Sequence, residues 1–264
     1  MGRHLLCALD NDKMIKLTTA LCLLMLLAGV HSETPQGRIL GGEEAANDAT
    51  PYAVSLRVDN AHVCGGSIIS ASKLLTAAHC LYRDGKLIDS SRISARVGSP
   101  NQYAGGHVVN IASYSIHPDY DALINNLAVI TLNTALEWTD RIKAIELTGA
   151  DEALPAEGAE ISVAGWGTTV DGVSSFRIRK INLTFASDAV CLDAYSDHDA
   201  SSSFCLAHAL KEGTCNGDGG GAAVYNDKIL GVVNFVVGAC GSRYPDVFVR
   251  VAGYSDWLQE QLLA

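Results

Sequence analysis

Beyond residue 38 the chain alternates apolar and polar side chains with a period of two. In Ala53 to Val58 the residues Val54, Leu56 and Val58 fall on one side and Ser55 and Arg57 on the other, as a strand with one buried face requires. The stretches Val108 to Ile116, Leu127 to Leu132, Glu160 to Ala164, Ile178 to Phe185, Lys228 to Val236 and Val247 to Val251 share this β-rich character and are separated by glycine-rich or polar turns. Helical spacing is confined to the C-terminus, where Trp257, Leu258 and Leu262 follow Gly253 and Ser255 and predict a last helix docked on the body. Many short strands without intervening helices predict an all-β protein of one or two barrels and not a βαβ fold.

The N-terminus breaks the pattern. Leu17 to Val30 is one apolar run, preceded by Lys13 and Lys16 and followed by His31 and Ser32. It is shorter than the roughly 20 residues of a membrane span and has the layout of a secretory signal, which places residues 1–32 in a removed segment. Met14 is an alternative start, with residues 1–13 as an optional extension. The expectation is a secreted, extracellular protein with no membrane attachment once the signal is gone. The chain has 264 residues, 48% of them hydrophobic, and a net charge of −10. That is ample for a large core, and without clustered Lys and Arg it excludes a nucleic-acid binder, because phosphates are neutralised by such clusters. Losing residues 1–32 removes Arg3, Lys13 and Lys16 against Asp10 and Asp12, so the mature chain stays acidic.

Six cysteines follow the signal: Cys64, Cys80, Cys191, Cys205, Cys215 and Cys240. Six cysteines allow about fifteen pairings. None of them are spaced as C-x₂₋₄-C, and His62, His79 and His208 each accompany a single cysteine, so no four-ligand zinc set forms and disulfides are expected. Chemistry is suggested at two places. His79 closes the run Leu74-Leu75-Thr76-Ala77-Ala78-His79-Cys80 at a strand end, where a crosslinked neighbour would fix the imidazole. The loop Cys215-Asn216-Gly217-Asp218-Gly219-Gly220-Gly221 is a glycine-rich turn of the kind whose N–H groups converge as an oxyanion hole requires.

These two motifs, with Arg38-Ile39-Leu40-Gly41-Gly42 and Gly165-Trp166-Gly167 in the same order along the chain, resemble the trypsin and chymotrypsin family of serine proteases from residue 38 to the end. The resemblance implies two six-stranded antiparallel β-barrels with a C-terminal helix, and a Ser-His-Asp triad in the cleft between them. It implies the pairs Cys64–Cys80, Cys191–Cys205 and Cys215–Cys240. It also implies a short propeptide, residues 33–38, cut after Arg38, and a peptidase-like domain over residues 39–264.

Departures from the family pattern then decide the expected function. The residue after Gly-Asp, a nucleophilic serine in the family, is Gly219 here, and the stretch resembling Asn-Asp-Ile-Ala-Leu-Ile reads Asn125-Asn126-Leu127-Ala128-Val129-Ile130, with Asn126 at the carboxylate position. Of the triad only His79 is retained. Losing the nucleophile alone costs about 2 × 10⁶ in turnover, roughly 8–9 kcal/mol, and an Asp→Asn change at the second position about 10⁴. Thr214 belongs to the pocket wall and is not positioned to substitute. A non-catalytic homologue is therefore expected, with Gly217 and Gly219 as an oxyanion-hole remnant.

The resemblance assigns an activation switch to Arg38, Ile39 and Asp218: in relatives the α-ammonium created by cleavage pairs with the buried carboxylate. It assigns a specificity pocket to Gly213, at the floor, and to Asn234, Val236 and Asp246, with Phe235 beside Asn234. Gly213 removes the floor carboxylate of trypsin-type pockets, Val236 replaces a usual glycine, and Asp246 offers a displaced anion to a basic side chain. Arg96 to His107 contains no Asp or Glu, so calcium is not expected there, and no metal or cofactor is expected elsewhere. Asn182-Leu183-Thr184 is the only glycosylation sequon. The chain is similar to arthropod serine protease homologues, which implies a monomeric cofactor of an extracellular cascade such as innate immune signalling. Its partners would be an active protease, a zymogen, an inhibitor or a pattern-recognition protein. The alternatives are a decoy of gut or seminal fluid that captures peptides or inhibitors, and a weakly active endopeptidase.

Overall fold

Strand alternation in this chain is resolved into two closed walls. The structure is a computed structural model that describes residues 40–169 and 171–264. The segments read as signal (1–32) and propeptide (33–38), together with Ile39, lie outside the described residues. In the first barrel β1 (Ala53–Val58), β2 (Ala61–Ile68), β3 (Lys73–Thr76), β4 (Ile93–Val97), β5 (His107–Ile116) and β6 (Ala128–Leu132) pair antiparallel. They close in the order β1-β2-β3-β6-β5-β4. Val54, Leu56, Ile68, Leu75 and Ile130 fill it. The polar side of β1 is covered as well: Ser55 is buried and bonds the imidazole of His62, Oγ to Nδ1, at 2.8 Å.

The second barrel comprises β7 (Glu160–Gly165), β8 (Arg179–Phe185), β9 (Ser203–Ala207), β10 (Ala222–Tyr225), β11 (Lys228–Val236) and β12 (Asp246–Arg250). Its circuit β8-β7-β10-β11-β12-β9 is closed by β8–β9 pairing. Phe204 stacks between Phe185 and Phe248, with ring centroids 5.6 and 5.4 Å away. Closure removes the unpaired edges that short strands would otherwise expose. Two six-stranded antiparallel barrels and a C-terminal helix thus make a chymotrypsin-like fold.

That C-terminal helix is α2 (Ser255–Leu263), and α1 (Asp188–Ala194) precedes it. The sequence pattern predicts helix at the C-terminus alone, and α1 is a departure from it. Its apolar residues Val190, Cys191 and Leu192 are consecutive and only Cys191 is buried, so no helical stripe marks it. Leu258 of α2 is buried in the larger core cluster, which joins the filling of the first barrel to Ile229, Val232 and Val249 of the second, so the last helix is docked on the body. The disulfides are Cys64–Cys80, Cys191–Cys205 and Cys215–Cys240. The first ties β2 to the turn that carries His79. Among the described residues no helix is long and apolar enough to cross a membrane.

Candidate active-site cleft

A cleft of about 580 Å³ is lined by His79, Gly217, Gly219, Asn234, Phe235 and Val236, among others. His79 sits on the single 3-10 turn Ala78–Leu81 after β3. The glycine loop descends from Cys215 to meet it and is held where the Gly65 amide donates to the Gly219 carbonyl at 2.8 Å. A Cβ built on Gly219 would stand 2.7 Å from His79 Nε2 and 3.0 Å from Cε1. Position 219 is therefore the place from which a side chain would face the imidazole, and it has none. Nε2 lies 3.6 and 4.0 Å from the disulfide sulfurs of Cys80 and Cys64. Already bonded to each other, they are not available as thiolate ligands to a metal.

Backbone groups fix the other side of the ring. The His79 amide donates to Asn126 Oδ1 at 2.9 Å, so the NH₂ end of Asn126 must face His79 Nδ1, 2.8 Å away, and Asn234 Oδ1, 2.6 Å away. Asn234 is oriented independently, because its Nδ2 donates to the Leu123 carbonyl at 2.9 Å. An amide and a carbonyl can each play only one role. Nδ1 of His79 is thus an acceptor, and the proton of the neutral ring resides on Nε2. Burial lowers the pKa of His79 from its ordinary value and favours that neutral ring. The pairing of Asn126 with Asn234 escaped sequence reading, although both positions depart from the family pattern and could have been linked on that ground.

Asp218 is buried behind the glycine loop. Its Oδ1 accepts from the Gly167 amide at 2.8 Å and its Oδ2 from the Cys215 amide at 3.0 Å. Desolvation nevertheless pushes its pKa up to about 7. Burial also pulls the His62 pKa down to about 4, and His62 Nε2 donates to the Gly217 carbonyl at 3.0 Å. Gly165 and Gly167 leave the room Asp218 needs: a Cβ on Gly167 would lie 2.2 Å from Asp218 Oδ2. Gly167→Ala is expected to displace the carboxylate from its two donors and destabilise the protein by about 3 kcal/mol, measured by denaturant unfolding at pH 6.

The pocket residues divide. Asn234, Phe235 and Val236 line the cleft, whereas Gly213 and Asp246 do not. Asp246 is turned into the protein: its Oδ2 accepts from the Thr214 amide and Oγ1 at 2.5 and 2.9 Å, and its Oδ1 faces His208 Nε2 at 3.3 Å. The expectation that Asp246 offers an anion to a basic ligand is corrected here, since both of its oxygens are engaged internally. His208 Nδ1 lies 2.9 Å from the Ala209 carbonyl, so both ring nitrogens face acceptors. Burial opposes protonation of His208, but the Asp246 bond and charge outweigh it and the pKa is raised. Nothing in the spacing of His208 along the chain announces this contact with Asp246. A Cβ on Gly213 would meet Asp246 Oδ2 at 2.6 Å and His208 Cδ2 at 2.8 Å, so this floor admits no side chain. Asn182 is exposed on β8, with its amide 3.2 Å from Glu160 Oε2.

Paired closed barrels with a disulfide-anchored histidine facing a glycine loop define the chymotrypsin-like class. Within that class, the trypsin family model matches residues 39–258, and the chain belongs to the trypsin family. Trypsin delta of Drosophila melanogaster is 35% identical over 229 residues, spanning 84% of this chain and 87% of its own. Trypsin alpha of the same fly is 35% identical over the same length, with coverage of 84% and 86%. Trypsin alpha-4 of Lucilia cuprina is 33% identical over 256 residues, covering 93% of this chain and 97% of its own.

Proposed function

We propose that this chain is a secreted, non-catalytic trypsin homologue that acts as a regulatory cofactor in an extracellular proteolytic cascade, such as one of innate immunity. The observation that carries this reading is Gly219 opposite His79, with an ideal Cβ only 2.7 Å from Nε2. No acyl-enzyme forms without an oxygen there, and the remaining oxyanion-hole and binding contributions amount to about 10³–10⁴ over water. Asn126 supports it further, since a ring protonated on Nε2 cannot take a proton from a nucleophile. Three disulfides suit an oxidising, extracellular setting. The retained cleft of about 580 Å³ favours, as a second reading, capture of a peptide or inhibitor segment in place of a substrate.

A fluorophosphonate is expected to leave the purified protein unlabelled whether or not it has been cut after Arg38. Stoichiometric labelling refutes the non-catalytic reading. Affinity capture from the source fluid with cut protein and with Arg38→Gln protein is expected to recover a protease, inhibitor or recognition protein preferentially with one form. Equal recovery with both forms ends the idea that cleavage switches partner affinity.

A further inference from the structure

The first barrel leaves one strand uncovered along part of its length. Residues 107–110 of β5 pair with β4, whereas pairing with β6 begins at Ile111. Past β6 the chain turns away: the Leu132 amide donates to the Ser72 carbonyl at 2.9 Å and the Leu136 amide to the Ala71 carbonyl at 2.7 Å. Two cavities of about 470 and about 380 Å³ occupy the space between β5 and residues 133–142. They share His107, Thr139 and Ile142 and so form one groove, and none of its lining residues also lines the cleft that holds His79. Both volumes lie in the range of small-ligand sites.

Trp138 stands on the rim, between Glu137 and Thr139, which both line the groove. Trp166 packs on His62 and Trp257 on His117. The Trp138 ring has no aromatic partner among the described residues and is 52% exposed. It is held outward by two buried anchors, Leu136 and Ile142, and by a tight turn in which Thr139 and Ile142 donate to each other's carbonyls at 3.1 and 3.3 Å. The side-chain amides of Asn110 and Asn133 and the hydroxyl of Thr134 also line the groove. They are exposed and have no hydrogen-bond partner among the described residues. Such groups both donate and accept. The charged lining groups Glu137, Asp140 and Arg141 are of both signs, so the groove does not select an ion of one sign.

A flat, wet indole beside neutral amides and a hydroxyl matches the two kinds of surface on a pyranose. One face of such a ring carries C–H bonds and stacks on the indole, while the hydroxyls at its edge exchange hydrogen bonds with the amides. We propose that this groove binds a neutral oligosaccharide of equatorially substituted hexopyranoses. Trp138 supplies the stacking face, and Asn110, Asn133 and Thr134 read the ring hydroxyls. An extended peptide, the other occupant for an uncovered strand, needs a row of free backbone groups along the edge. The Asn110 carbonyl is already taken by the Asn133 amide at 3.0 Å, which cuts that row short. The site goes beyond the reading above and does not depend on Gly219.

Calorimetry of the secreted protein with laminarihexaose, cellohexaose, chitohexaose and maltohexaose tests the site. A heparin hexasaccharide serves as the charged comparator and an acetylated Thr-Val-Thr-Val-Thr amide as the extended peptide. At least one neutral sugar is expected to bind with a Kd below about 1 mM. Binding of chitohexaose alone would identify an N-acetylated glycan, and binding of the others a glucan. Trp138→Ala is expected to weaken that binding at least tenfold and Asn133→Ala about three- to tenfold, while Trp138→Phe, which keeps a flat ring, recovers most of the loss. Both side chains are exposed, so unchanged melting temperatures are expected to show that the variants fold. Binding of no neutral sugar, affinity unchanged in Trp138→Ala and Asn133→Ala, or tighter binding of the heparin fragment or the peptide than of every neutral sugar overturns the site. Each of those results leaves the non-catalytic reading standing. Phosphonate labelling of the same preparation would bring down that reading and leave the groove untouched.

Discussion

Gly219→Ser alone is expected to leave hydrolysis of peptide thioesters at background in protein cut after Arg38, even though it restores the missing hydroxyl. The new Cβ would begin 2.7 Å from His79 Nε2, so the ring must give way, and that nitrogen carries a proton where a general base needs a lone pair. An asparagine in the orienting position costs about 10⁴ in rate in a comparable triad, through the wrong tautomer. Adding Asn126→Asp corrects the tautomer but creates a second conflict. The carboxylate would face Asn234 Oδ1, which now lies 2.6 Å from the Asn126 amide nitrogen. If Asn234 turned over to donate, its oxygen would oppose the Leu123 carbonyl that its Nδ2 now serves at 2.9 Å. Such a buried mismatch costs about 1–3 kcal/mol, or roughly 10- to 100-fold. Asn234→Ser relieves it by supplying a hydroxyl that donates to the carboxylate. The kcat/KM series is therefore expected to rise in two steps, about 10⁴ with the aspartate and a further factor of about 10 to 100 with the serine at 234. A single Gly219→Ser variant within tenfold of the triple variant would refute the tautomer argument.

The same coupling explains what the sequence could and could not reveal. Alternation made β1 legible, and the bounds read for it, Ala53 to Val58, are those observed. β2 was hidden because Gly65 and Gly66 interrupt its pattern. Those glycines answer to distant parts of the chain: a Cβ on Gly65 would stand 2.9 Å from the backbone of Gly221, and one on Gly66 would stand 3.1 Å from the Leu75 carbonyl. Motif order located His79, Asn126 and Gly219, because a resemblance carries position. It did not carry orientation. Whether Asp246 faces a ligand or the interior depends on Thr214 and His208, and whether His79 donates or accepts through Nε2 depends on Asn234. Each is a contact between residues far apart in sequence, with no periodicity to announce it.

At pH 7.5 protein cut after Arg38 is expected to melt about 10 °C above uncut Arg38→Gln protein, with the gap closing to a few degrees at pH 4. In the uncut chain Asp218 is buried against the amides of Gly167 and Cys215 and titrates at about 7, above the ordinary 3.8. A carboxyl whose folded pKa is raised favours the fold in its neutral form. Its contribution is complete below 3.8 and is lost as pH rises through 7, a change of about 4 kcal/mol. His62 works in the opposite sense, since its pKa is lowered to about 4 from 6.5. Its support is present above 6.5 and is lost as pH falls through 4. His208, with its raised pKa, stabilises below 6.5 and loses that effect as pH rises. Both histidines are present in cut and uncut protein alike, so the difference between the two forms isolates Asp218. Cleavage after Arg38 creates an α-ammonium at Ile39, and pairing it with Asp218 would stabilise the ionised carboxylate and abolish the loss. For a domain of this size about 4 kcal/mol corresponds to roughly 8–16 °C. Scanning calorimetry of both forms across this pH range reads the gap directly. Equal melting temperatures at pH 7.5 would mean that the new terminus never reaches Asp218, and that cleavage has no conformational consequence to transmit to a partner.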